Sequence, residues 1–245
     1  MKKIIIMSFL LGMSFVLASC SQDNATDKLV FATSAEYPPF EYKINGELVG
    51  FDIELGKIIA QELGKEAEFL DMQFSSILIA VQSGMANAAI STITITDARE
   101  KNFDFSKPYY MESMAVVFNK EKPIKSVAEL AGKKMACQLG TTMEIWLKKH
   151  APNTKIITND SNPQAIEALK AGYVDGVLID SVQGATFSKK NEQLFFKIII
   201  QSDTGYGVAF KKGSLLKDEV NKAIASLEKS GAIKKLKKKY MLEGG

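Results

Sequence analysis

The chain has 245 residues, 31 basic and 28 acidic side chains, a net charge of +3 and 46% hydrophobic residues. That balance is ordinary for a globular protein and gives no electrostatic footprint for nucleic acid. One histidine and two cysteines poorly equip a zinc site or a Ser-His-Asp triad, so no metal or cofactor is expected.

The N-terminus carries Lys2 and Lys3, an apolar run from Ile4 to Leu17, then Leu17-Ala18-Ser19-Cys20. The run is shorter than the ~20 residues a membrane span needs, and the pattern is that of a secretory signal over residues 1–19. An ordinary signal ending in cysteine and a transmembrane helix are the alternatives. The Leu-Ala-Ser-Cys stretch resembles the lipobox of bacterial lipoproteins. The resemblance implies cleavage before Cys20, lipid on its thiol and a domain outside the cytoplasm, tied to a bacterial membrane. Without the signal, 29 basic residues face 28 acidic ones. Cys137 is then the one remaining thiol and no internal disulfide can form. It reads as a small buried apolar residue rather than a reactive group.

Residues 20–27 form a polar tether. A strand is expected over Lys28 to Thr33, then a hairpin whose turn is Asn45-Gly46. Asp52 is expected to cap a helix running to Leu63, with Ile53, Ile58, Ile59 and Leu63 at helical spacing. A strand at Glu66 to Leu70, a helix from Ser75 or Ser76 to Gly84 and a buried strand at Ala88-Ala89-Ile90 follow. A second unit starts near Met114. It has strands at Ala115 to Phe118, Lys134 to Leu139, Lys155 to Thr158, Val177 to Ile179 and Phe195 to Ile200. Helices are expected at Val127 to Leu130, Thr142 to Lys149, Pro163 to Ala171 and Ser181 to Ser188. Val208 to Phe210 and helices near Leu215 to Ser230 and Ile233 to Tyr240 end the chain. Alternating strands and helices indicate α/β sheets with crossovers. The basic run Lys234 to Lys239 reads as the wet face of an amphipathic helix rather than a membrane or nucleic-acid patch.

Four places carry chemistry. In Ser91-Thr92-Ile93-Thr94-Ile95-Thr96-Asp97-Ala98-Arg99 the hydroxyls of Thr92 and Thr94 share one face of an extended chain, and Asp97 can cap the next turn. Arg99 then projects a planar fork of donors suited to a carboxylate. A surface ion pair with Asp97, Glu100 or Asp104 is the plainer reading. Gly140-Thr141-Thr142 at the mouth of a helix presents free N–H groups to an anion, or is simply a cap at Thr141 or Thr142. Tyr37, stiffened by Pro38-Pro39, and Phe74 can wall a pocket or pack a core. Asp180 ends a buried strand where open α/β sheets bind ligands, or caps the next helix.

The order of motifs resembles the amino-acid-binding proteins of bacterial ABC importers, the polar amino-acid group of the periplasmic-binding-protein superfamily. Carrying it are Ala35-Glu36-Tyr37-Pro38-Pro39-Phe40-Glu41, Gly50-Phe51-Asp52-Ile53-Glu54-Leu55, Thr92 to Arg99, Phe103 to Tyr110, Gln138 to Thr142 and Gly172-Tyr173-Val174-Asp175-Gly176. It implies two α/β lobes joined by two crossing strands, one of residues 28–110 plus 206–245 and one of residues 111–205. The ligand would lie between them. By motif position Arg99 matches the clamp on the ligand carboxylate, Thr94 and Thr142 its helpers, Asp180 the ammonium partner, and Tyr37 and Phe74 the aromatics around the side chain. Thr92 stands where many relatives carry glycine or serine. Some relatives that hold cationic side chains use an acidic residue in the first loop, where Ser34 and Glu36 stand, and Gln138 can reach the same pocket.

The resemblance implies a binding protein, not an enzyme, that delivers a free amino acid to the membrane subunits of an importer. Arginine or lysine is favoured, then glutamine or histidine, and a monomer is expected. A small dehydratase on the same fold, using Glu36 or Glu144 as acid or base, and a ligand-sensing module are the rival readings.

Overall fold

The structure, a computed structural model, describes residues 27–242. The signal, Cys20 and most of the tether therefore lie outside the described residues. The first part of the chain forms β1 (Lys28–Thr33), β2 (Glu36–Tyr37), β3 (Glu41–Ile44), β4 (Glu47–Val49), α1 (Phe51–Glu62), β5 (Glu66–Asp71), α2 (Phe74–Ser83), β6 (Ala88–Ala89), α3 (Asp97–Glu100) and β7 (Phe103–Phe105). The sorting of β1 shows why it is central. Leu29 and Phe31 enter one core with Phe51, Leu55 and Ile59 of α1. Ala32 enters another with Ile77, Ala80 and Val81 of α2. A strand parallel to both neighbours needs both faces covered, and each large apolar side chain buried there contributes about 1.5–3 kcal/mol.

The hairpin forms at Asn45-Gly46, with both residues at positive φ and Ile44 opposite Glu47. Helix α1 differs from expectation. Gly50, at φ 126°, is its N-cap, and a Cβ there would lie 2.2 Å from the Phe40 carbonyl oxygen. Asp52 is fully buried and turns its carboxylate away to other donors. Helix α2 begins at Phe74, one residue early. The two short strands β2 and β7 had no counterpart among the expected elements.

The rest comprises β8 (Tyr110–Asn119), a 3-10 turn (Val127–Leu130), β9 (Lys134–Gln138), α4 (Thr142–His150), β10 (Lys155–Asn159), α5 (Asn162–Lys170), β11 (Gly176–Asp180), α6 (Ser181–Lys190), β12 (Leu194–Tyr206), β13 (Ala209–Lys211), α7 (Leu216–Lys229) and α8 (Ala232–Lys239). One five-stranded sheet has the order β5-β1-β6-β13-β7 and a second β10-β9-β11-β8-β12, while β2-β3-β4 form a small meander. The first sheet thus takes strands from both ends of the chain. Strands β8 and β12 are longer than expected. They pair antiparallel from Asn119 opposite Leu194 to Tyr110 opposite Tyr206 and lead back to the first sheet. At Gly205 a Cβ would lie 2.4 Å from the Tyr110 carbonyl oxygen, so only glycine lets these strands approach.

The second sheet is also covered on both faces. Val116, Met135, Cys137 and Leu178 pack to one side, and Val117, Ala136, Val177 and Ile179 to the other. Burial pushes the Cys137 thiol up to about 12, which keeps it unreactive. The basic run lies on α8, where Ile233 enters the core, Lys234, Lys235 and Lys238 face water, and Lys239 pairs with Glu54 at 2.6 Å. Among the described residues no helix is long and apolar enough to cross a membrane.

Candidate ligand-binding site

The segment leaving β6 is shaped by two buried carboxylates. Thr92 has φ +46°, and its N–H donates to Asp52 at 2.8 Å. The hydroxyls of Ser91 and Thr92 donate to Glu41 at 2.8 and 3.2 Å. Thr92 and Thr94 are therefore not successive residues of one extended face, as the spacing suggested. The left-handed turn aims the Thr92 hydroxyl at Glu41, whereas Thr94 bridges to Tyr206. Thr96, not Asp97, caps α3, accepting from the Arg99 N–H at 3.3 Å. The short helix throws Arg99 across the gap between the two sheets. Its guanidinium donates to the Thr94 carbonyl at 2.8 Å and to the Gly140 carbonyl at 3.1 Å. It lies 5.9 Å from the Phe74 ring centre. Burial pushes the guanidinium down to about 10, against the pull of the Glu112 charge, so it stays cationic near neutral pH.

The other wall comes from the turn after β9. Thr141 caps α4, accepting from Glu144 N–H at 3.4 Å and donating to the Gln138 carbonyl at 2.7 Å. Glu144 reaches back to the Gly140 N–H at 2.8 Å, completing a reciprocal cap. The Thr142 hydroxyl then meets that of Thr94 at 3.4 Å, so one contact closes the gap. Glu144 also pairs with Lys148 at 2.5 Å. Burial works against its charge, but Lys148 and the Gly140 N–H outweigh it and hold the carboxyl below its ordinary range.

Between these walls lies a cavity with about 20 Å³ of free volume, room for a single water. Arg99, Thr92, Thr94, Thr142, Gln138 and the rings of Tyr37 and Phe74 line it. A second hollow shares Tyr37, Phe74 and Gln138 and adds Ser34, Glu36 and Glu41. The two form one elongated site, with the guanidinium at one end and acidic groups at the other.

Asp180 stands directly behind the cavity wall, bonded to Tyr206, which lines it. It is fully buried and caps α6, accepting from the N–H groups of Val182 and Gln183 at 2.7 and 3.3 Å and from the Tyr206 hydroxyl at 2.6 Å. The helix start captures the carboxylate, and Tyr206, which does line the cavity, stands beside it. Burial pushes Asp180 up to about 6 despite these three donors.

Sequence reasoning missed Glu112, Tyr206 and Asn162 on the cavity wall. Glu112 is 3% exposed, and the hydroxyls of Thr94 and Tyr206 lie near its carboxylate without completing a hydrogen bond to it. Burial, then the Asp180 charge, pushes it up to about 7, tempered by the hydroxyls of Thr94 and Tyr206 and by Arg99. Its signal was alternation: Tyr110, Glu112 and Met114 point inward along β8 while Met111 points out. Starting that strand at Ala115 hid it.

Two α/β bodies joined by paired strands, with a polar and aromatic cavity between them, define a two-lobed solute-binding protein. The comparisons agree. Residues 29–243 match the family of bacterial extracellular solute-binding proteins, family 3, and the chain belongs to that family. It is 34% identical to the arginine-binding extracellular protein ArtP of Bacillus subtilis over 98% of each chain. It is 32% identical to the ABC transporter arginine-binding protein 1 of Escherichia coli, over 96% of this chain and 97% of that one. Among solved structures it is similar to an ancestral arginine-binding protein bound to arginine, with a TM-score of 0.84 and 39% identity, covering 87% of this chain and 97% of that one.

Proposed function

We propose that this protein captures a free amino acid, arginine before other polar or basic ones, between its lobes and delivers it to the membrane subunits of an ABC importer. The carrying observation is Arg99, which already bonds to carbonyls on both sides of a cavity walled by Tyr37 and Phe74. A zwitterion is costly to bury unless each charge is paired. Its carboxylate takes the remaining Arg99 donors, the Thr94 and Thr142 hydroxyls and the N–H groups at the start of α4. A cationic side chain stacks between Tyr37 and Phe74 and extends toward Ser34, Glu36, Glu41 and Gln138. Thr92 lines the site without leaving its bond to Glu41. Asp180, with the Tyr206 hydroxyl bonded to it, is the carboxylate for the ammonium end.

The lobes of this reading are residues 28–110 with 206–245, and residues 111–205. With about 20 Å³ free between them, substrate enters only when they part, and its two-sided contacts then favour closure. Cys20 carries the lipid that holds the monomer at the membrane. The protein binds without turnover: Glu144 is committed to Lys148 and Gly140, which removes it as an acid or base.

Thermal melts of the mature protein against the standard amino acids test the reading, since a specific ligand raises apparent stability by mass action. Arginine is expected to give the largest shift, with a Kd of micromolar order or tighter, about −8 kcal/mol, and to be recovered unchanged after incubation. No shift from any amino acid overturns the proposal.

A further inference from the structure

The lysines of α8 are only partly accounted for by the fold. The helix holds Lys234, Lys235, Lys237, Lys238 and Lys239 and no acid. The last three sit in its final turn, where cations suit the helix dipole, but Lys234 and Lys235 lie near its start and oppose it. Lys234 and Lys238, like Lys235 and Lys239, are also like charges four residues apart, which weakens a helix. Lys239 is answered by Glu54, and Lys237 lies 5.6 Å from the Tyr110 ring centre. Lys234, Lys235 and Lys238 are exposed and have no ion pair among the described residues. At 3.6 residues per turn they share an arc of about 100°, opposite Ile233 and Leu236, which pack inward. Charge that costs the helix locally and finds no partner in the fold points outward.

The path of the chain says what this face meets. Asp27 pairs with Lys65, just beyond the end of α1. Ser226, near the end of α7, donates to Glu62 at the end of α1 at 2.6 Å. Lys239 and Tyr240, at the far end of α8, both reach Glu54 near the start of α1. Helix α8 therefore runs back along α1, and it starts at the end of the lobe where the chain arrives from Cys20. Fully extended, the steps from Cys20 to Asp27 reach about 25 Å. With lipid on Cys20, the surface within that reach is a layer of phospholipid headgroups.

We propose that the exposed face of α8 docks on an anionic phospholipid surface and lays the first lobe against it. This goes beyond amino-acid capture and rests on the anchored reading of Cys20. The field of the headgroups fades within about 8 Å at physiological salt, so the tether brings the face into range and the lysines then hold it. Each lysine that reaches the surface adds an attraction it does not find within the fold. The mature chain as a whole is near neutral, so the attraction belongs to this face and not to net charge.

The test uses the mature chain carrying Cys20→Ser, which cannot be acylated, and vesicles of equal parts phosphatidylglycerol and phosphatidylcholine. Sedimentation is expected to show binding at about 0.05 M salt that is lost by about 0.5 M, and none to phosphatidylcholine alone. Lys234→Gln, Lys235→Gln and Lys238→Gln together are expected to weaken binding about 100-fold and to melt no lower than the parent, since they remove only unfavourable local charge. Lys120→Gln, Lys125→Gln and Lys197→Gln, at exposed lysines beside the second sheet, remove the same charge and are expected to leave binding within a few-fold. Equal losses in the two triple variants, binding to phosphatidylcholine alone, or no binding of the Cys20→Ser chain to the anionic vesicles overturns the proposal and leaves the anchored and amino-acid readings intact. A wild-type protein whose intact mass shows no acyl chain overturns the anchored reading, and this proposal with it.

Discussion

Two pairs of buried carboxylates lie close to the cavity, and their surroundings differ. Glu41 and Asp52 are held by their own chain, through the hydroxyls of Ser91, Thr92 and Tyr109 and the Thr92 N–H. One oxygen of each has no other donor. Burial, and then the charge of Asp52, push Glu41 well above its ordinary range, so the pair shares a proton. Glu112 and Asp180 differ from each other: Asp180 accepts two helix N–H groups and the Tyr206 hydroxyl, while Glu112 has only the hydroxyls of Thr94 and Tyr206 nearby. The first pair shapes the Thr92 turn. The second stands at and behind the cavity wall. A buried acid whose donors all come from its own chain serves the fold.

Removing Arg99 breaks this contrast most severely. Arg99→Ala is expected to abolish binding of every amino acid, a loss of about 2–5 kcal/mol or more, while the melting temperature without ligand changes little. Titration calorimetry checks it, and near-normal affinity in the variant defeats the site. Next is Tyr109→Phe, which strips Asp52 of a donor at 2.7 Å. It is expected to cost about 1–3 kcal/mol in urea unfolding and to leave ligand affinity within a few-fold. A reversed pattern, stable but unable to bind, would move the Glu41–Asp52 pair from fold to function.

The pH dependence of stability sharpens the same comparison. Asp52 and Asp180 are raised from 3.8 to about 6, and Glu112 from 4.5 to about 7. With folded values above unfolded ones, the native state holds more protons between those limits, so stability falls as pH rises through that window. The protein without ligand is expected to melt at a higher temperature at pH 5 than at pH 8. Glu54, Asp104 and Glu144 are lowered, and they act only below this window. Glu112→Gln is expected to remove part of the slope, and a slope of opposite sign contradicts the burial argument. The smallest effect is reserved for Glu36→Gln. Glu36 is exposed at the far end of the site, so its loss is expected to cost under about 1 kcal/mol for arginine and to narrow the preference over glutamine in competition binding.

How much was legible in the sequence divides along physical lines. Asn45-Gly46 and the helix starts at Pro163 and Ser181 follow from local backbone chemistry, and the structure has them within a residue or two. The Arg99 segment stood out as a hydroxyl-rich stretch ending in a planar fork of donors, but a surface ion pair read equally well from the residues alone, and the order of motifs along the chain supplied its role. What escaped depends on contacts distant in sequence. Asp52 looks like a cap until Tyr109 and Thr92 arrive from elsewhere. Asp180 offers the same residue to a cap or to a ligand, and only packing decides between them. Glu112 needed the inward register of β8, which Tyr110 opposite Tyr206 fixes.

One contact has a cost for transport. Because Arg99 donates to the Gly140 carbonyl as well as to that of Thr94, an internal oxygen competes with a substrate carboxylate for the same guanidinium. Arriving substrate must displace that carbonyl before it is gripped, so part of its affinity goes to evicting an internal mimic.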